Sequence, residues 1–277
     1  MLAKLYMYLQ YPFVVRAIIA GVLISFCASL LGVILVLRRY SYIGDCLSHV
    51  AFGAMSVSYV AGIISQKLFV ILPITAVTAV LILRTKQKRV QGDALIAMLS
   101  TAALAIGYLL MNVFPISANV SSDVCTSLFG STSILTLSQG EVWESVILAV
   151  IVSAIILLLY PRIFAVTFDE EFAQVSGIHT DRMQLILAVV TSAVVVLAMN
   201  LVGSILISAL VIFPALSAMQ IERSFGKVLI LSSVLAVSGA LAGLIGAILA
   251  GTPVGATIVI CDLVIFLLCF AIGTWKQ

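Results

Sequence analysis

Long apolar runs with short polar breaks between them dominate this sequence almost from one end to the other. Runs of about 17 to 25 residues are long enough for a helix to cross the hydrocarbon core of a bilayer. Backbone groups in that core must find hydrogen-bond partners within the chain, which a helix provides and an open strand does not. The sequence therefore predicts an all-α fold, a polytopic transmembrane helical bundle.

Composition supports a membrane location, because only 9% of the residues are charged and 63% are hydrophobic. Soluble domains carry roughly 25% charged residues. We predict a single transmembrane domain over residues 1–277, with about 8 to 9 spans in contact with membrane lipid. The predicted spans are 13–37, 42–63, 68–84, 94–114, 142–160, 183–200, 203–221, 228–250 and 254–274.

Most basic residues fall on one side of this arrangement, and Lys4, Arg16 and Lys67 fall on the other. The positive-inside rule makes the more basic side cytoplasmic. The N-terminus is then outside and the C-terminus inside. The net charge of +3 is small and basic residues do not alternate with aromatic ones, so no nucleic-acid partner is expected. The basic residues on the inner side are Arg38, Arg39, Arg84, Lys86, Lys88, Arg89, Arg162, Arg182, Arg223, Lys227 and Lys276.

Asp45 and His49 lie four residues apart near the start of the second predicted span. Residues with this spacing project from the same face of a helix. A carboxylate and an imidazole suit zinc, manganese or ferrous iron, and a second copy of the chain could complete the ligand set across a two-fold axis. The same two residues could instead bond to each other or relay protons, as in a proton-coupled secondary transporter.

Two further residues could take part in such a pathway. Cys46 could add a thiolate and favour zinc, although membrane cysteines more often serve packing. Asp262, an acidic residue inside the last predicted span, could line the path or pair with a basic neighbour.

Two connecting segments are long enough for a role of their own. The outer segment, near 115–140, could be a short re-entrant helix, an extracytoplasmic cap or a solvated loop. The inner segment is predicted to form an amphipathic helix near 164–178, with apolar residues at helical spacing, neighbouring acidic residues and Gly177 at its end. Its acidic character favours a protein partner over lipid headgroups, and a simple connecting helix is the alternative.

No catalytic apparatus is evident in the sequence. Gly226 and Lys227 are followed by Val228, where a phosphate-binding loop needs Ser or Thr, and the upstream glycine spacing is absent. We therefore expect a transport subunit and not an enzyme, with any ATP hydrolysis on a separate chain.

An ordered set of motifs along the whole chain resembles the integral-membrane permeases of ATP-binding cassette importers for zinc, manganese and iron. Each motif is weak by itself, and their order gives the resemblance its strength. The motifs are Gly44, Asp45, Ser48 and His49 after Arg38 and Arg39; Leu128, Phe129 and Gly130; Phe168, Asp169, Glu171, Ala173 and Gly177; Val202, Gly203 through Ser208, Ala209, Leu210 through Pro214 and Ala215; and Pro253, Gly255, Ala256, Thr257, Ile258 and Val259.

The resemblance implies a homodimeric or heterodimeric permease, with two cytoplasmic ATPase subunits and an extracytoplasmic metal-binding protein. It implies no permanently bound cofactor, and zinc or manganese as the transported ion, in contact with Asp45 and His49. Besides a metal importer and a proton-coupled transporter, the chain could be a membrane subunit that only anchors its partners. The inner helix would be the coupling helix that docks into the ATPase, through Phe168, Asp169, Glu170, Glu171, Ala173 and Gly177.

Overall fold

The computed structural model describes residues 10–63, 67–84, 92–114 and 137–275. Within these ranges the chain is almost entirely helical and contains no strand, so the predicted all-α fold is confirmed. The predicted outer motif at 128–130 and most of the 115–140 segment lie outside the described residues. The helices are α1 Pro12–Leu37, α2 Ile43–Val60, α3 Lys67–Arg84, α4 Gly92–Val113, α5 Gln139–Leu158, α6 Tyr160–Phe168, α7 Glu170–Val175, α8 Thr180–Val202, α9 Ser204–Ile221, α10 Phe225–Ala250 and α11 Val254–Trp275.

In the described ranges, seven helices are long and apolar enough to cross a membrane: α1, α3, α4, α5, α8, α10 and α11. The two other predicted spans correspond to α2 and α9. The apolar part of α9 is shorter, Leu206–Ile221, and α2 is interrupted by the polar side chains of Asp45, Ser48 and His49. The chain is therefore a multi-span membrane protein, and α2 and α9 account for the difference from the predicted 8 to 9 spans.

Contacts between distant segments identify the two ends of the bundle. At one end, Arg38 bonds to Glu170, and Tyr160 packs against Phe225 with ring centroids 5.6 Å apart. These contacts gather the predicted cytoplasmic segments that follow α1, α5 and α9. At the other end, Arg16 Nη1 donates to the carbonyl oxygen of Leu137 at 3.4 Å.

The inner segment differs from the single helix predicted near 164–178. The structure divides it into α6 and α7 at Asp169, whose backbone is extended with φ −149° and ψ 98°. The Asp169 carboxylate accepts a hydrogen bond from the backbone N–H of Phe172 at 2.8 Å, which begins a new helix. Gly177 ends α7 as predicted, with φ +82°.

The cysteines do not form a disulfide framework in the described part of the chain, where Cys27, Cys46, Cys261 and Cys269 are all free. Cys125 lies outside the described residues.

Candidate metal site

Helices α2 and α4 pack closely and run in the same direction. His49 contacts Ser100, and one turn further along α2, a Cβ atom on Gly53 would lie 2.9 Å from the carbonyl oxygen of Ala103. A Cβ atom on Gly107 would meet the ring of Phe52 at 2.7 Å. The residue numbers of both partners rise together, so the helices are parallel, and glycine at these positions allows their backbones to approach.

A cavity of about 440 Å³ opens between α2 and α4 near their N-terminal ends. The side chains of His49 and Asp45 are 22% and 44% exposed, so both are accessible to an ion. The structure thus brings the predicted pair together in one cavity. Its lining residues are Tyr42, Asp45, His49, Asp93, Ile96, Ala97, Ser100, Thr101 and Leu104.

A neighbouring helix supports each member of the pair. His49 Nδ1 lies 2.7 Å from Ser100 Oγ on α4 and 3.9 Å from Asp45 Oδ2. Ser208 Oγ on α9 donates to Asp45 Oδ1 at 3.4 Å. Because Ser100 engages Nδ1, the other ring nitrogen, Nε2, is left to bind an ion, as is usual for histidine ligands held by a second hydrogen bond.

The pair does not form a complete metal site within one chain. Among the described residues, no group of three or more His, Cys, Asp or Glu side chains is placed to hold a metal ion. Asp45 and His49 together supply two protein ligands. A four-coordinate ion needs four, and a six-coordinate ion can take further ligands from water.

Asp93 is a carboxylate in this cavity that was not among the residues predicted from the sequence. It precedes Ser100 by seven residues, or roughly 10 Å along α4, and so lies closer to the basic end of the bundle than His49 does. The available signal was the pattern of Asp93, Ala97, Ser100 and Thr101, which recurs at helical spacing in an otherwise apolar run.

Cys46 and Asp262 do not line this cavity. Cys46 is fully buried in the hydrophobic core. Asp262 is buried between α10 and α11, where its Oδ1 abuts Gly239, and Oδ2 has no hydrogen-bond partner among the described residues. Cys46, although next to Asp45 in the chain, therefore belongs to the core, and Asp262 lies between two other helices.

The residues predicted to couple to an ATPase have different environments. Glu170 bonds to Arg38 and Gln184, and Ala173 is buried against α6 and α8. Asp169 caps α7, Gly177 ends it, and Phe168 packs against Phe225 with ring centroids 5.9 Å apart. Glu171 is exposed and lines a cavity beside α7 together with Arg38 and Glu170.

Comparison with known proteins gives matches along nearly the full length of the chain. It is 30% identical to the manganese import system permease protein ScaB of Streptococcus parasanguinis, over 95% of this chain and 92% of that protein. It is 26% identical to the high-affinity zinc uptake system membrane protein ZnuB of Haemophilus influenzae, over 91% and 94%.

A solved structure has the same fold. The structure of PsaBC from Streptococcus pneumoniae in complex with Fab superposes with a TM-score of 0.85 at 26% identity, covering 98% of this chain and 95% of that one. The ABC 3 transport family matches residues 10–273. The chain therefore belongs to the ABC 3 transport family.

Proposed function

We propose that this chain is the permease subunit of an ATP-binding cassette importer for divalent transition metal ions, manganese or zinc, in the bacterial cell membrane. Separate ATPase subunits drive alternating access, and an extracytoplasmic binding protein delivers the ion. The names of the relatives, a manganese import permease and a zinc uptake membrane protein, support this cargo. None of these similarities supports the alternative of a proton-coupled secondary transporter.

One observation carries the assignment: Asp45 and His49 share an accessible cavity, and each is held by a side chain from another helix. A carboxylate oxygen and an imidazole nitrogen are a ligand set for manganese or zinc. Fixed ligands in small number suit a transported ion, because an ion bound by a full rigid set would leave slowly.

A second permease copy supplies the remaining ligands in this proposal. Two Asp45 carboxylates and two His49 imidazoles around a two-fold axis give four protein donors, enough for tetrahedral zinc or for manganese with added waters. One bound metal per two permease chains is the expected stoichiometry. One metal bound per chain would contradict the shared site.

Helix α7 is the proposed contact with the ATPase. Its side chains Phe172 and Val175 are 67% and 88% exposed, and Glu171 is exposed beside them. Two large apolar side chains at the basic end of the bundle, beside an acidic one, form a surface suited to a protein partner. ATP hydrolysis takes place on that partner, since this chain has no phosphate-binding loop.

Transport by purified components tests the proposal. Permease and ATPase are reconstituted in liposomes with the binding protein, and uptake of manganese and zinc is followed for Asp45→Asn and His49→Ala. Loss of one of few ligands lowers metal affinity and uptake by at least about tenfold. Cys46→Ala is the control, because this neighbouring residue faces the core, and it should transport at the rate of the unaltered protein.

Two results would overturn the assignment. The first is metal uptake at the unaltered rate in both ligand variants while they remain inserted and bound to the ATPase. The second is uptake that continues without the ATPase and collapses with an uncoupler, which would restore the proton-coupled alternative.

A further inference from the structure

Arg38 joins the end of α1 to the short helix α7. Its side chain is only 7% exposed, and Nη2 lies 3.0 Å from Glu170 Oε2. The other oxygen of the same carboxylate, Oε1, accepts a hydrogen bond from Gln184 Nε2 of α8 at 2.7 Å. A single carboxylate on α7 is therefore bound by side chains from the end of α1 and from α8.

The backbone around Arg38 fixes the direction in which α2 leaves α1. The N–H of Arg39 bonds to the carbonyl of Val36 at 3.0 Å and that of Tyr40 to Leu35 at 2.9 Å, and Arg39 has φ +63°. These are the two bonds and the left-handed residue of a Schellman turn. Helix α2 begins at Ile43, so the turn that carries Arg38 leads directly into Asp45 and His49.

Arg38 depends on Glu170 because the cation is buried, whereas the side chain that carries the carboxylate is 34% exposed. Nη1 of Arg38 has no hydrogen-bond partner within the described ranges, so the Nη2 bond to Glu170 is an important compensation for burying this cation. Removing one partner of a buried pair leaves an uncompensated charge, which costs far more than losing an exposed pair. Displacing Glu170 should therefore displace Arg38 with it.

We infer that Arg38, Glu170 and Gln184 form a link that carries movement of α7 to the turn before α2, and so to the metal pair. The inference rests on the proposed docking of the ATPase against α7. Glu170 is then a positioning residue that contacts the permease, whereas the exposed side chains of Phe172 and Val175 are the proposed contacts with the ATPase. The contacts run from α7 through Arg38 into the turn that begins α2, so a shift of α7 can be passed to the helix that carries the metal pair.

The other inward contact of α7 does not reach the metal pair. Ala173 packs with Val166 of α6 and Met183 of α8, which holds α7 to its neighbours along the chain. Glu170 alone among the described α7 side chains is hydrogen-bonded to the end of α1. The link is therefore separable by mutation from the packing that keeps α7 in place.

The test measures metal imported per ATP hydrolysed in the reconstituted permease and ATPase complex. Glu170→Gln keeps the size of the side chain and removes its charge, and Arg38→Gln removes the other partner. Each should lower the ratio about tenfold, as expected for loss of a charged hydrogen bond that transmits the coupling. Glu222→Gln is the control, because it breaks the exposed pair of Glu222 and Lys227, whose closest atoms are 3.9 Å apart.

The double variant Arg38→Gln with Glu170→Gln distinguishes a link from two separate effects. If the residues act as one unit, the double variant loses no more than either single variant. If the double variant lowers the ratio of metal imported to ATP hydrolysed by the product of the two single losses, the link is overturned. An unchanged ratio in Glu170→Gln would also overturn it. Insertion and thermal stability are compared across the set, and Glu170→Gln provides the measurement if Arg38→Gln does not fold.

Copurification of the ATPase separates failure of the link from failure of the proposed docking. Glu170→Gln should retain the ATPase in unaltered amount, and loss of the ATPase would show that Glu170 is a docking contact and overturn the link. If instead the ATPase binds undiminished when both Phe172 and Val175 are replaced by Ala, docking at α7 is wrong and the link falls with it. An unchanged ratio in Glu170→Gln, with the ATPase retained, overturns the link alone.

Discussion

His49 Nδ1 and Ser100 Oγ lie 2.7 Å apart, across the interface between α2 and α4. When Nε2 binds a metal ion, Nδ1 carries the proton and donates it to the serine oxygen. A bond of this kind sets the orientation of the ring and raises its basicity as a ligand. Helix α4 therefore helps to position the metal pair through Ser100, although both ligands of the pair lie on α2.

Replacing Ser100 with Ala should weaken metal binding by about tenfold, the lower range for loss of a residue that orients a histidine ligand. Titration calorimetry of the purified permease with manganese measures the affinity. Thr101→Val is the matched control, because Thr101 lines the same cavity but bonds to Ala97 of its own helix at 2.9 Å. Equal affinities in the two variants would contradict the supporting role of Ser100.

Asp93 should assist the ion in leaving the pair toward the cytoplasm. It lines the same cavity nearer the basic end, where a carboxylate offsets the repulsion that the cationic surroundings impose on a metal ion. Asp93→Asn should lower the import rate about tenfold while binding at Asp45 and His49 is retained. The rate comes from metal uptake into liposomes and the affinity from calorimetry.

Asp181→Asn is the control for the Asp93 variant. Asp181 is exposed in the first turn of α8 at the same end of the bundle, and it does not line the cavity. A general effect of surface charge would slow both variants equally. Unchanged import in Asp93→Asn, or weakened metal binding in place of slowed import, would exclude the exit role.

The metal pair was predictable from the sequence because helical periodicity is local. Asp45 and His49 are four residues apart, and any helix through them places both on one face. Their supports were not predictable, since Ser100 and Ser208 are 51 residues from His49 and 163 residues from Asp45 respectively. Which helices pair is decided by packing, such as the approach of Gly107 to Phe52, and not by local spacing.

The break between α6 and α7 was also not predictable from the spacing of apolar residues. Phe164, Phe168 and Phe172 recur every four residues, which predicts one continuous helix. The carboxylate of Asp169 competes with that pattern by capping a new helix at Phe172. The division turns Glu170 toward Arg38, so its role as an internal contact could not be inferred from its acidity.

Adding a methyl group at Gly107 should separate α2 from α4. The new Cβ atom would lie 2.7 Å from the Phe52 ring and 3.1 Å from Gly53 Cα, too close for unstrained packing. Gly107→Ala should lower the free energy of unfolding by about 1 to 3 kcal/mol, and it should weaken metal binding because His49 and Ser100 move apart. Thermal unfolding in detergent and calorimetry measure the two effects.

Gly246→Ala controls for the general effect of replacing a helical glycine. Its Cβ atom would meet Thr257 Cγ2 at 3.5 Å, an ordinary contact. We expect unaltered stability and metal affinity there. If Gly107→Ala behaves in the same way, close approach at Gly107 does not determine the geometry of the metal pair.

Phe172 offers a direct test of docking at α7, because its side chain is 67% exposed at the proposed ATPase surface. Removing a central aromatic contact commonly weakens a protein interface by about tenfold or more. Phe172→Ala should therefore reduce copurification of the ATPase without lowering the thermal stability of the permease. Phe164→Ala is the contrasting variant: its ring packs against Phe225 with centroids 5.5 Å apart, so it should lower permease stability and leave ATPase affinity nearly unaltered. A Phe172 side chain at the centre of the interface would be buried when the ATPase binds, so its removal must cost buried apolar area and affinity. If the ATPase binds Phe172→Ala as tightly as the unaltered permease, the docking surface lies elsewhere.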